Sequence, residues 1–82
     1  MGFIRPRAIA VKPLDDYKII VTFNNGENRI FDVKPYFDFK LFKELEGTEL
    51  FQGVRVAGLS VEWPNGVDIC PDELYLDSIP IN

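Results

Sequence analysis

The run Ser60-Val-Glu-Trp-Pro-Asn-Gly-Val-Asp-Ile-Cys-Pro-Asp-Glu-Leu-Tyr75 decides how this chain is read. Val61 and Trp63 flank Glu62 with the period of a half-buried strand, and Leu59 extends the same face. Pro64-Asn65-Gly66 carries tight-turn chemistry, because Asn and Gly tolerate positive φ. Val67-Asp-Ile69 resumes the strand pattern. Pro71 then suits a first helical position, where its missing N–H is not needed, and opens a short helix over Asp72–Leu76. Strand, turn, strand and helix follow one another within sixteen residues.

Outward from this run the same grammar repeats. Ala8-Ile-Ala-Val-Lys12 and Tyr17-Lys-Ile-Ile-Val-Thr-Phe23 are rich in strand formers. Pro13 and the polar Asp15-Asp16 separate them, and the two Asp side chains suit local turn bonding. Asn24-Asn25-Gly26-Glu27 carries the Asn-Gly hairpin signal, and Asn28-Arg-Ile-Phe-Asp-Val33 returns antiparallel. After Pro35 the spacing of Phe39, Phe42 and Leu45, joined by Leu41, predicts a short amphipathic helix. Asp38 is its expected N-cap and Gly47 its expected C-cap. Thr48 is expected to cap one further turn over 48–52. Val54-Arg-Val-Ala57 and 59–63 read as two strands folding back on each other, with Gly58 between them.

The expected architecture is therefore α+β. It is a small single domain of antiparallel β-hairpins, about six short strands in two three-strand blocks, with one central and one C-terminal short helix. The domain spans 1–82 with its core over about 6–78. The 79–82 tail either lies along a sheet edge or stays loose.

A chain of 82 residues buries a modest core. A hydrophobic content of 46% with eleven aromatics argues for folding rather than disorder, and a homodimer is one way to cover leftover apolar surface. One cysteine permits no intrachain disulfide. The N-terminus lacks the apolar run of a signal peptide, and no stretch has the length of a membrane span, so a cytoplasmic protein without membrane contact is expected.

The absence of histidine removes Ser-His-Asp and Cys-His nucleophile activation and HExxH metal sites. No phosphate-cradling glycine loop is present either. These features argue against an enzyme, and no catalytic residue, metal ligand or cofactor is assigned. Residues 1–43 hold eight basic and five acidic side chains, a balance of +3, whereas 44–82 hold only Arg55 against eight acids, a balance of −7. Either the two halves interleave on one globule or the acidic half presents a face to a basic protein partner. The short basic patch Arg5, Arg7 and Lys12 is too narrow to indicate direct nucleic-acid contact.

Several side chains carry two readings. Glu62 and Asp68 sit on opposite arms of the turn and, with Asp72 and Glu73, form either a solvated acidic rim or a partner-facing patch. The same oxygens, or Arg55, are the basis of the alternative reading as a small-ligand or metal-binding domain. Arg55 otherwise pairs with a carboxylate such as Glu62. Trp63 is either core or an exposed interface anchor, and Tyr75 is a second candidate anchor. Cys70 is expected to be buried and inert. The partner-binding set is thus Glu62, Trp63, Asp68, Asp72, Glu73 and Tyr75.

Pro6-Arg7, Pro13-Leu14-Asp15-Asp16-Tyr17, Phe23-Asn-Asn-Gly-Glu27, Phe31-Asp32 and Val61-Glu-Trp-Pro-Asn-Gly-Val-Asp68 together resemble the small bacterial family known as domain of unknown function 2442, over roughly 6–78. The resemblance implies a compact α+β domain. It also implies an antitoxin-like or regulatory role beside a small toxin-like protein, and in longer relatives an added helix-turn-helix domain for which this chain has no expected room. It supplies no catalytic residues. The functional expectation is a non-catalytic protein-interaction module.

Overall fold

The computed structural model of the chain describes residues 5–81. Strands β1 (Ala8–Leu14), β2 (Lys18–Phe23) and β3 (Asn28–Asp32) form an antiparallel meander, extended by a two-residue edge strand near the C-terminus. Between them and that edge lie α1 (Lys40–Lys43), the hairpin β4 (Arg55–Ala57) and β5 (Ser60–Glu62), and α2 (Pro71–Leu76). The edge strand β6 (Ile79–Pro80) pairs antiparallel with β3. The result is a four-stranded sheet ordered β1-β2-β3-β6 and a two-stranded sheet β4-β5. Six short strands and two short helices make the expected α+β fold.

Burial follows the pleat. On β2, Ile19, Val21 and Phe23 are buried, while Lys18, Ile20 and Thr22 point to the opposite face. Phe31 stands opposite Ile19 and joins the buried face. Against it pack Leu45, Phe51, Val61, Trp63, Val67, Ile69 and Leu74 from the second half of the chain. The two halves are interleaved through one core, so the charge asymmetry along the sequence is not separated into two lobes.

Pro13 does not end β1. The strand continues to Leu14 because β1 is an edge, where a missing N–H breaks no ladder. Tyr17 does not open β2. It closes the 3-10 turn Asp15–Tyr17, with Asp16 at φ 63° and Tyr17 at φ 56°. Tertiary contacts hold these left-handed conformations: Tyr17 packs edge-on to Phe37 and Phe51, both at 5.2 Å, and its hydroxyl accepts from the Gly47 N–H at 2.7 Å.

The central helix is shorter than its periodicity predicts. A 3-10 turn covers Lys34–Asp38, Phe39 breaks the path in an extended conformation (ψ 133°), and α1 spans only Lys40–Lys43. Phe39, not Asp38, occupies the N-cap position, and the Asp38 side chain makes no capping bond there. Gly47, at φ 72°, ends the turns that follow α1, and Thr48 caps the 3-10 turn Glu49–Gly53 by accepting from the Leu50 N–H. Leu45 is buried and Phe42 packs on the core, but Leu41 is exposed and does not share their face.

The sheets divide four and two, not three and three. Val67–Ile69 is not a full strand: Glu62 and Asp68 form one isolated antiparallel bridge. The alternation is still obeyed, with Val67 and Ile69 buried and Asp68 exposed. The sixth strand is instead the tail, lying along the free edge of β3. Leu59 leaves the Val61–Trp63 face because β5 starts only at Ser60. Leu59 belongs to the preceding turn, where its carbonyl accepts from Ala8 N–H at 3.3 Å.

Candidate functional site

Trp63 is fully buried, stacks on Phe51 at 6.1 Å and donates its indole N–H to the Phe51 carbonyl at 3.1 Å. The core reading of Trp63 holds, and its indole offers no surface anchor. Cys70 is exposed rather than buried, because Ile69 takes the inward position beside it.

The acidic side chains are each engaged with a different element. Glu62 pairs with Arg55 at 3.3 Å, as its position across the hairpin predicts. Asp72, on α2, pairs with Arg5 at 3.0 Å. Glu73 accepts from the Tyr36 hydroxyl; burial and then this carboxylate push the phenol above its ordinary value. Tyr75 packs edge-on to Phe23 at 5.1 Å and donates to Glu27 at 2.6 Å. That bond, followed by the Arg29 bond, holds the Glu27 carboxyl below its ordinary range. Among the described residues, no group of three or more His, Cys, Asp or Glu side chains is placed to hold a metal ion.

Two members of the sequence-derived set line concavities: Asp72, with Arg5 and Arg7, borders one of about 450 Å³, and Asp68 borders the more apolar one. A groove of about 500 Å³ runs between α1 and the Pro64-Asn65-Gly66 turn. Phe39, Leu41 and Phe42 form one wall, and Val67 with Asp68 the other. Asn65 fixes the walls together by donating its amide to the Leu41 carbonyl at 3.1 Å and to Glu44 Oε1 at 3.0 Å. Phe39 is 61% and Leu41 54% exposed, so two large apolar side chains stand in water in a groove whose charged lining is Lys40 and Asp68, with Glu44 behind Asn65. Sequence reading placed Phe39 and Leu41 on a buried helix face and so missed the groove. The available signal was Pro35: a chain breaker so near α1 leaves too few helical residues to turn all four apolar side chains inward.

The groove thus sits on a small α+β domain whose sheet is covered on one face. The chain matches the model of the family described as Protein of unknown function (DUF2442) over residues 8–80 and belongs to that family. No curated protein and no solved structure matches it. No helix among the described residues is long and apolar enough to cross a membrane.

Proposed function

We propose that this chain is a non-catalytic protein-interaction module, antitoxin-like or regulatory, whose docking surface is the groove between α1 and the Pro64–Gly66 turn. The carrying observation is the exposure of Phe39 and Leu41 beside an apolar concavity of about 500 Å³. Its occupant is a segment of a small basic protein that inserts an apolar side chain between Phe39 and Leu41 and sets Lys or Arg against Asp68, on the side of the groove away from Lys40. Apolar insertion supplies affinity, Asp68 and Lys40 fix orientation, and the net acidity of residues 44–82 favours encounter with a basic partner. Glu62, Asp72 and Glu73 are satisfied within the chain and contribute background field rather than direct contacts. The domain is placed in the cytoplasm, and it self-associates through a separate surface.

Tagged wild-type protein and Leu41→Asp are to be used for capture from the native host. A basic protein retained by the wild type, released by high salt and lost with Leu41→Asp supports the groove. Equal retention by both removes it. No observation favours the small-ligand or metal reading over this one.

A further inference from the structure

Among the described residues, the four-stranded sheet is covered on one face only. Every buried residue of β1, β2 and β3 lies on the face carrying Ala8, Ile19, Val21, Phe23 and Phe31. The other face is built in rows by the strand register. Its central row reads Lys12, Ile20, Ile30, Ile79 across β1, β2, β3 and β6. Ile20 and Ile30 are half-buried without packing against the core cluster, and Ile79 is 68% exposed. An antiparallel sheet facing water normally carries polar residues on its open side. Three aligned isoleucines there call for a cover.

The row beside it identifies the cover. Lys18 on β2 stands directly opposite Asp32 on β3, and Thr22 opposite Asn28 on the far side of the isoleucines. Within one chain Asp32 pairs with Lys34 at 3.1 Å, Lys18 lies 4.0 Å from Asp16 and Thr22 donates to Asn28 at 2.6 Å, so contacts to a second copy add to these at side chains that stay part-exposed. A two-fold axis parallel to the strands, between β2 and β3, lays β2 of one copy over β3 of another. Ile20 then meets the second copy's Ile30, Lys18 meets its Asp32, and Thr22 meets its Asn28, each contact occurring twice. Lys12 lies over the second copy's Ile79, covering it with its aliphatic stem while the ammonium reaches the rim. By its register the face pairs apolar with apolar and Lys with Asp when laid on itself, as an isologous interface requires.

We infer that the open face of the β1-β2-β3-β6 sheet is a homodimer interface, with Ile20 and Ile30 at its centre and reciprocal Lys18–Asp32 contacts fixing its register. It rests on the self-association proposed above and not on the groove. β1, β2 and β3 carry seven, six and five residues and β6 only two, so the face spans at most about 20 Å by 20 Å and the dimer belongs to the small, concentration-dependent class.

Sedimentation of the full chain tests this, from about 10 µM to about 1 mM, the range suited to a small interface. The wild type is expected to pass from monomer to dimer. Lys18→Asp alone and Asp32→Lys alone put like charges at both contacts and are expected to remain monomeric. Their equimolar mixture restores opposite charges at both contacts and is expected to dimerise. A monomeric wild type at the highest concentration, or a mixture no more associated than its components, overturns the proposal. Ile20→Thr keeps a β-branched strand former and serves if a charge variant fails to fold: association weakened about tenfold is expected. Wild-type association by this variant likewise overturns the proposal. Leu41→Asp is expected to sediment as wild type, so failure of the dimer and failure of the groove are read separately.

Discussion

Arg29 holds its guanidinium carbon 4.3 Å from the ring centroid of Tyr75. The same side chain donates to Glu27 at 2.6 Å, to Ser78 Oγ at 2.7 Å and to the Ser78 carbonyl at 2.8 Å. Only 13% of it is exposed. A planar fork thereby fastens β3 to α2 and the C-terminal segment, and β6 can pair where it does.

Arg29→Ala is expected to destabilise the fold by about 2 kcal/mol, since charged hydrogen bonds at a half-buried site are lost together. Urea denaturation reads the loss. Hydrogen exchange should localise it: the Ile81 N–H, which donates to the Asn28 carbonyl at 2.9 Å, should exchange faster, while the Ile69 amide should slow-exchange as before up to the global limit.

Stability should fall at both ends of the pH scale. Glu27 is held below its ordinary 4.5 by Tyr75 and then Arg29, and Asp16 below its ordinary 3.8 by Lys34. Lowered carboxyl values mean stabilisation that is present above the unfolded-state value and is lost as pH falls through the folded one. Tyr36 is raised above 10.0 by burial and then Glu73, and Tyr75 above 10.0 by Glu27. Raised phenol values mean stabilisation present below pH 10 and lost as pH rises through the folded value. Urea midpoints should therefore be flat between roughly pH 5 and pH 9. Glu27→Gln should shallow the acid limb and Tyr36→Phe the alkaline one. Unchanged limbs would show that these bonds do not set the pH dependence.

Gly53 is fixed by its neighbour rather than by its own dihedral. A Cβ there would stand 2.5 Å from Pro64 Cγ and 3.0 Å from Cδ. Gly53→Ala is expected to cost about 1–3 kcal/mol through this overlap. Pro64→Ala removes both ring atoms, so the double variant should be less destabilised than the sum by about 1 kcal/mol. Strict additivity in urea would place the cost elsewhere.

Trp63 reports on the core. Its emission should be blue-shifted and resistant to iodide quenching. Trp63→Phe, which leaves the Phe51 carbonyl without its 3.1 Å donor, should cost roughly 1–3 kcal/mol. An indole open to iodide would contradict its burial.

Local chemistry made most of the fold legible. Asn25-Gly26 and Asn65-Gly66 mark real turns, with Gly26 at φ 90° and Gly66 at φ 92°. The alternation along β2 also names its buried face correctly. The errors come from tertiary context. Tyr17 resembles the first residue of a strand, yet Phe37, Phe51 and Gly47 hold it left-handed. For the tail at Ile79 the sequence left an edge position and a loose end both open, and the Arg29–Ser78 clamp selects the edge. The acidic cluster was visible as composition, but Arg5 and Tyr36, far away in sequence, engage Asp72 and Glu73. The groove was hidden because Phe39 and Leu41 are apolar at helical spacing, a pattern that normally signals burial.

A photocrosslinking residue at position 41, compared with one at exposed position 52, probes the groove in the host cell. Covalent capture of a small basic protein from position 41 and not from position 52 is expected. Capture of the same protein equally from both positions, or from position 52 alone, contradicts docking in the groove.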